Sequence, residues 1–208
     1  AMQENLSSYK GKTSTSSPSP HEWENAFGDA DVVFCITITS SLSGTYNSAV
    51  IAKDIYEHNH TGRKVYVLDS LSTGPEIALF IEKIAELIKA GFAPDDIYKT
   101  LLEYKDKTHL YFSLASLNNF AKNGRISPVI AAGIGLLGVR VVGKASDEGT
   151  LLPLDKCRGE KRALKKLIDH LKECGYTDGK IIIAHNNNEA GALELKKLIE
   201  NTFGIFNG

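Results

Sequence analysis

Val32-Val33-Phe34-Cys35-Ile36-Thr37-Ile38-Thr39 runs into Ser40-Ser41-Leu42-Ser43-Gly44-Thr45-Tyr46-Asn47, and this passage decides the fold. The first half is apolar and β-branched, which reads as a buried strand. The second half opens a segment, Asn47 to Tyr56, whose apolar residues fall at helical spacing. Hydroxyls and a glycine therefore sit where a parallel strand ends and a helix begins. The first amides of a helix lack intrahelical partners and carry the positive end of its dipole. Short hydroxyls and Gly44 let an anion approach those amides, so the turn reads as an anion site. The same residues also read as an ordinary helix N-cap.

Outward from this turn the order continues as strand and helix. Lys64 to Leu68 is a second strand, ending in Asp69-Ser70, and helices are expected at 75–90 and 94–106, the latter started by Pro94-Asp95-Asp96. Upstream, Ser19 is the expected N-cap and Pro20 the N1 residue of a short helix to Phe27. Strand-helix-strand-helix order predicts a parallel α/β sheet. Past residue 109 the grammar changes. Leu110 to Ser113 reads as strand, Ala115 to Ala121 as a short helix, and Lys122 to Ser127 as a tight turn. A small-residue helix is expected from Pro128 to Leu137. Val139 to Val142 and Thr150 to Leu154 flank Asp147-Glu148-Gly149 as a hairpin. A basic helix near 158–174, a strand at Lys180 to His185 and a helix at 188–202 complete the pattern. The fold class expected is α/β: a parallel-sheet domain over 1–109, lacking its first strand, followed by a smaller α+β domain with a mixed sheet over 110–208.

The 208 residues carry 24 basic and 25 acidic side chains, so no global field favours nucleic acid or an anionic membrane. No apolar run reaches the length of a membrane span, and no integral membrane insertion is expected. Cys35, Cys157 and Cys174 are widely spaced and odd in number; a reducing cytoplasm is expected, without disulfides or metal. Ala1-Met2 reads as a cloning scar, and both ends read as truncated.

No G-x-x-x-x-G-K-[ST] and no G-x-G-x-x-G opens a helix here, which disfavours nucleotide binding. No G-x-S-x-G elbow surrounds Ser43. An enzyme reading, a phosphotransferase or hydrolase acting on a small anion at the Ser43 turn, needs a base, for which Asp69 and His185 are the candidates. Asp69 reads first as a loop cap and His185 as a strand-end histidine. Thr15-Ser16-Ser17-Pro18-Ser19-Pro20 supplies a second hydroxyl cluster. Arg125, in a glycine turn, could clamp a carboxylate or a phosphate. Lys156, Arg158, Lys161, Arg162, Lys165 and Lys166 form a basic stretch.

Five of these segments, in order, resemble the DegV family of bacterial fatty-acid-binding proteins. Thr15 to Pro20 resembles its T-S-Q-P-S-P with Ser17 for Gln, Leu42 to Tyr46 its L-S-G-T-Y, and Val67 to Ser70 its V-x-D-S. Gly124 to Ser127 is similar to G-R-I-S and Lys156 to Gly159 to K-x-R-G. The resemblance implies a two-domain carrier, not a catalyst, which holds one long-chain fatty acid between its domains and needs no cofactor. It presents the carboxylate to a separate fatty acid kinase for acyl-phosphate formation, in phospholipid metabolism. By position, Thr15, Ser16, Ser43 and Gly44 would hold the carboxylate. Arg125 and Arg158 would lie at the rim where the kinase docks. The chain departs from the family in lacking an opening strand that ends in D-S and the H-x-G-P-G segment. Gly138-Val139-Arg140-Val141 also stands where N-I-K-P is usual. A missing first strand would leave an open sheet edge and favour dimerisation.

Overall fold

The computed structural model describes residues 13–126 and 138–204. The expected helix at 128–137, Ser127 and both chain ends lie outside the described residues.

Helix α1 (Pro20–Phe27) begins as its sequence dictates. The Ser19 hydroxyl accepts from the Glu22 amide while the Glu22 carboxylate accepts from the Ser19 amide, a reciprocal capping box with Pro20 just inside. Strand β1 (Val32–Thr37) leads through the hydroxyl turn into α2 (Thr45–Asn59), and β2 (Lys64–Asp69) returns parallel to β1. Helices α3 (Pro75–Lys89) and α4 (Pro94–Lys105) follow. The pairing puts Cys35 beside Val67 and Phe34 beside Tyr66, so successive residues face opposite sides. Cys35, Val65 and Val67 pack against Ala49, Ala52 and Tyr56 of α2, with Phe27 of α1. Leu68, Phe34 and Ile36 pack on the other side against Phe80, Ile84 and Leu87 of α3 and Ile97 and Leu101 of α4. Helices on both faces explain why the strands read as continuously apolar. Ala49 and Ala52 are fully buried, which lets α2 lie close to the sheet.

The rest of the described chain forms a second sheet. Strands β3 (Tyr111–Leu114), β4 (Val139–Ala145) and β5 (Leu151–Arg158) pair in the order β3-β4-β5, antiparallel throughout. A short helix, α5 (Asn118–Lys122), and Ile126 cover one face. Helices α6 (Glu160–Glu173) and α7 (Glu189–Phe203) cover the other through Ala163, Leu164, Leu167, Leu195 and Leu198. A register shift between Val142 and Gly143 bends the β4–β5 hairpin. A β-carbon at Gly143 would lie 2.4 Å from the Leu152 carbonyl oxygen and 2.5 Å from the Phe112 ring. The sequence reading does not contain this bulge.

The α/β class therefore stands, with one correction. Lys180 to His185 is not a strand among the described residues, so the sheet expected to be mixed is antiparallel in its three described strands. Ile181, Ile182 and Ile183 are half-buried and line a cavity instead of joining a ladder. Apolar content reports burial and says nothing of pairing.

Tyr66 ties α4 to the sheet by donating to the Asp95 carboxylate at 2.5 Å. Burial, reinforced by that acceptor, pushes its phenol up to about 12. A phenol raised above its unfolded value of about 10 favours the folded state while both forms are protonated. The stabilisation is complete below about pH 10 and is lost as pH rises through 12. Tyr66→Phe should flatten the fall in stability across that window by up to about 1.4 kcal/mol per pH unit, read by denaturant melts from pH 9 to 12.

Candidate functional site

The two parallel strands end in register, Thr37 beside Asp69, and their outgoing loops interlock. The Asp69 carboxylate accepts from the Ser40 amide at 3.1 Å and from the Leu71 amide at 3.1 Å. The Thr39 amide donates to the Ser72 carbonyl at 2.8 Å. Asp69 is thus the loop cap that its position suggested, engaged by amides of both loops. His185 is exposed and lies at 3.3 Å from the Asn188 amide through Nδ1.

Between Thr39 and Gly44 the chain makes a tight turn. The Leu42 and Ser43 amides both donate to the Thr39 carbonyl at 3.2 Å. The Ser43 hydroxyl lies 2.7 Å from the Thr45 hydroxyl and accepts from the Thr45 amide at 3.3 Å. Helix α2 starts at N-cap Gly44 with no side-chain cap. The Ser43 hydroxyl thus takes up the first amide of the helix, as a capping side chain would, although the N-cap residue itself is a glycine. Two hydroxyls and the first turn of a fifteen-residue helix share one end.

The upstream hydroxyl segment is brought to the same place. The Ser48 hydroxyl donates to the Pro18 carbonyl at 2.6 Å, and Ser17 Oγ would stand 3.7 Å from a β-carbon at Gly44. Thr15 and Ser16 are exposed on the stretch leading there, Ser43 is half-buried and Gly44 is exposed. Arg125 is exposed; its Nε donates to the Leu42 carbonyl at 3.1 Å and its Nη1 to the Asn123 carbonyl at 2.6 Å. Arg158 ends β5, exposed and opposite Val139.

A cavity of about 1060 Å³ opens beside the turn. Thr39, Leu42 and Leu79 line it from the parallel-sheet part, and Phe112, Leu114 and Ile182 from the antiparallel part. Its volume is at the upper end of the range of small-molecule sites, roughly 300–1,000 Å³. Among the described residues no group of three His, Cys, Asp or Glu is placed to hold a metal ion, and no helix is long and apolar enough to cross a membrane. Cys35 is buried in the first core, and burial pushes its thiol up to about 11, an inert core residue.

Comparison with known proteins settles the lineage. The family model for DegV matches residues 2–206. The chain belongs to the DegV family. A DegV domain-containing protein of Streptococcus pneumoniae (strain ATCC BAA-255 / R6) is 41% identical over 202 residues, 97% of this chain and 72% of the relative. The crystal structure of a DegV family protein from Eubacterium eligens loaded with heptadecanoic acid superposes with a TM-score of 0.95 at 41% identity. It covers 99% of this chain and 74% of that one. The Streptococcus pneumoniae Fatty Acid Kinase (Fak) B3 protein loaded with linoleic acid gives a TM-score of 0.94 at 40% identity, covering 97% and 72%. A Thermotoga maritima protein described as revealing fatty acid binding function gives 0.83 at 30%, covering 98% and 71%.

Sequence reasoning missed the role of the β4–β5 hairpin tip. The Ser41 hydroxyl donates to the Glu148 carbonyl at 2.5 Å, and Gly149 packs against Thr39. Asp147-Glu148-Gly149 signalled a turn, but nothing in it signalled what the turn touches. A β-carbon at Gly149 would lie 2.1 Å from Thr39 Oγ1 and 2.9 Å from Leu71 Cα, at φ +74°. Gly149→Ala should cost about 2–4 kcal/mol, since strain and backbone displacement add. Gly124→Ala, at φ +68° with nothing within 4 Å, should cost only about 1 kcal/mol. Paired thermal melts check the contrast; equal losses would contradict the packing described.

Proposed function

We propose that this chain binds a long-chain fatty acid, with the acyl chain in the cavity and the carboxylate at the hydroxyl turn. Thr15, Ser16, Ser43 and Gly44 are the proposed head-group ligands. The observation that carries this reading is one apolar-walled cavity whose lining includes Thr39 and Leu42 of that very turn. The fatty acids named for the Eubacterium eligens and Streptococcus pneumoniae proteins support it.

The energetics fit. Burying about sixteen carbons at ~0.8 kcal/mol each gives on the order of 10 kcal/mol before ordering and association costs are subtracted. The head group needs neutral donors, because a carboxylate locked to a buried lysine would be a poor nucleophile. Hydroxyls and helix-end amides serve a carboxylate and an acyl phosphate alike. We propose accordingly that the protein is a carrier which presents the carboxylate to a fatty acid kinase, and that the chemistry belongs to that partner. Arg158, and the outward side of Arg125, are the proposed docking groups. The ligand would lie between two domains, 1–109 and 110–208, in a cytoplasmic protein. The engagement of Asp69 by the Ser40 and Leu71 amides weighs against it as the base of a hydrolase at the same turn.

Mass spectrometry of a lipid extract from the purified protein should find a long-chain fatty acid. Ser43→Ala should weaken its binding about tenfold or more, the worth of one hydrogen bond to a charged group. Absence of lipid together with no measurable affinity for added fatty acid would overturn the proposal.

A further inference from the structure

Two segments carry the proposed head-group ligands, and one turn of the antiparallel part touches both. The Asn123 side-chain amide donates to the Thr13 carbonyl at 2.8 Å, two residues before Thr15. Arg125 Nε donates to the Leu42 carbonyl, the residue before Ser43. Gly124, at φ +68°, makes the bend between them. We infer that Asn123-Gly124-Arg125 is a positioning element that sets the Thr15 segment and the Ser43 turn against each other for carboxylate recognition. The inference rests on the fatty-acid reading above.

The Leu42 carbonyl and the Ser43 amide share a rigid plane. Arg125 holds the oxygen of that plane, while its N–H donates to the Thr39 carbonyl at 3.2 Å. A plane held at both edges resists rotation, which constrains the backbone from which the Ser43 side chain departs. The Ser43 hydroxyl then meets Thr45, at the open end of α2. The guanidinium is itself steadied, because Nη1 donates to the Asn123 carbonyl of its own turn at 2.6 Å. Asn123 is further held by the Asn119 carbonyl at 2.8 Å, and Asn119 accepts from the Thr13 hydroxyl at 2.9 Å. A path of hydrogen bonds thus leads from Thr13 through α5 and this turn to Leu42. On the far side, the Ser41–Glu148 bond holds the turn against the β4–β5 hairpin.

A positioning role differs from a merely structural one in what it discriminates. Dissociation constants for hexadecanoic acid and hexadecan-1-ol, measured on wild type, Arg125→Ala and Asn123→Ala, separate the two. The alcohol keeps the acyl chain and lacks the charge. Each variant should lose about tenfold of the preference for the acid while the alcohol affinity stays within about twofold, and Arg125→Lys, with one donor centre, should restore part. An acid-to-alcohol ratio unchanged from wild type, or an equal loss for both ligands, would overturn the inference and leave the fatty-acid reading standing. A wild type that binds neither ligand, or does not prefer the acid, would overturn both. Should Arg125→Ala fail to fold, Asn123→Ala reads the same ratio and decides alone.

Discussion

One carboxylate ties the ends of the two parallel strands together, and the site is built on that tie. Asp69 closes β2 and reaches across to the amide of Ser40, just beyond β1, while also holding Leu71 of its own loop. Without it, two loops carrying seven hydroxyl residues would leave the sheet independently, each at its own cost in ordering entropy. With it, they become one rim. The Thr39–Ser72 and Ser70–Thr37 backbone bonds continue the weave on either side.

From this rim the remaining features follow in order. The turn after Thr39 is tight enough to deliver Gly44 as the N-cap of α2 and to set the Ser43 hydroxyl beside the first amide of the helix. The Thr45 amide donates to the Ser43 hydroxyl, which in turn meets that of Thr45. The antiparallel part then grips the turn from two directions, by the Arg125 guanidinium and by the Glu148–Gly149 tip. Only a glycine fits at that tip. Gly149 of that tip is also a wall of the cavity, as are Thr39 and Leu42 of the turn.

Much of the fold was legible in the chain. The Ser19–Glu22 capping box, the apolar run of β1 and the Asp-Glu-Gly hairpin each express a local rule, and each holds. The strand end, the turn and the helix start around Ser43 were legible too, while the same hydroxyls admitted both an anion site and a plain helix cap. What escaped was partnership. Lys180 to Ala184 has the composition of a strand, yet its isoleucines face the cavity. Arg125 announced a charge, but its acceptors are backbone carbonyls at Leu42 and Asn123, and carbonyls have no sequence signature. The Val142–Gly143 bulge and the close approach of Gly149 to Thr39 likewise depend on residues far away in the chain.

A negative head group held by neutral hydroxyls and helix amides should be a stronger acid when bound than when free. Carbon-13 NMR of carboxyl-labelled hexadecanoate on the protein measures this directly, by following the bound resonance as pH is lowered. The account predicts a titration midpoint below the ordinary carboxylate range, moving upward in Ser43→Ala. A bound carboxyl that titrates above that range, as in a plain apolar crevice, and ignores the Ser43 substitution would contradict it.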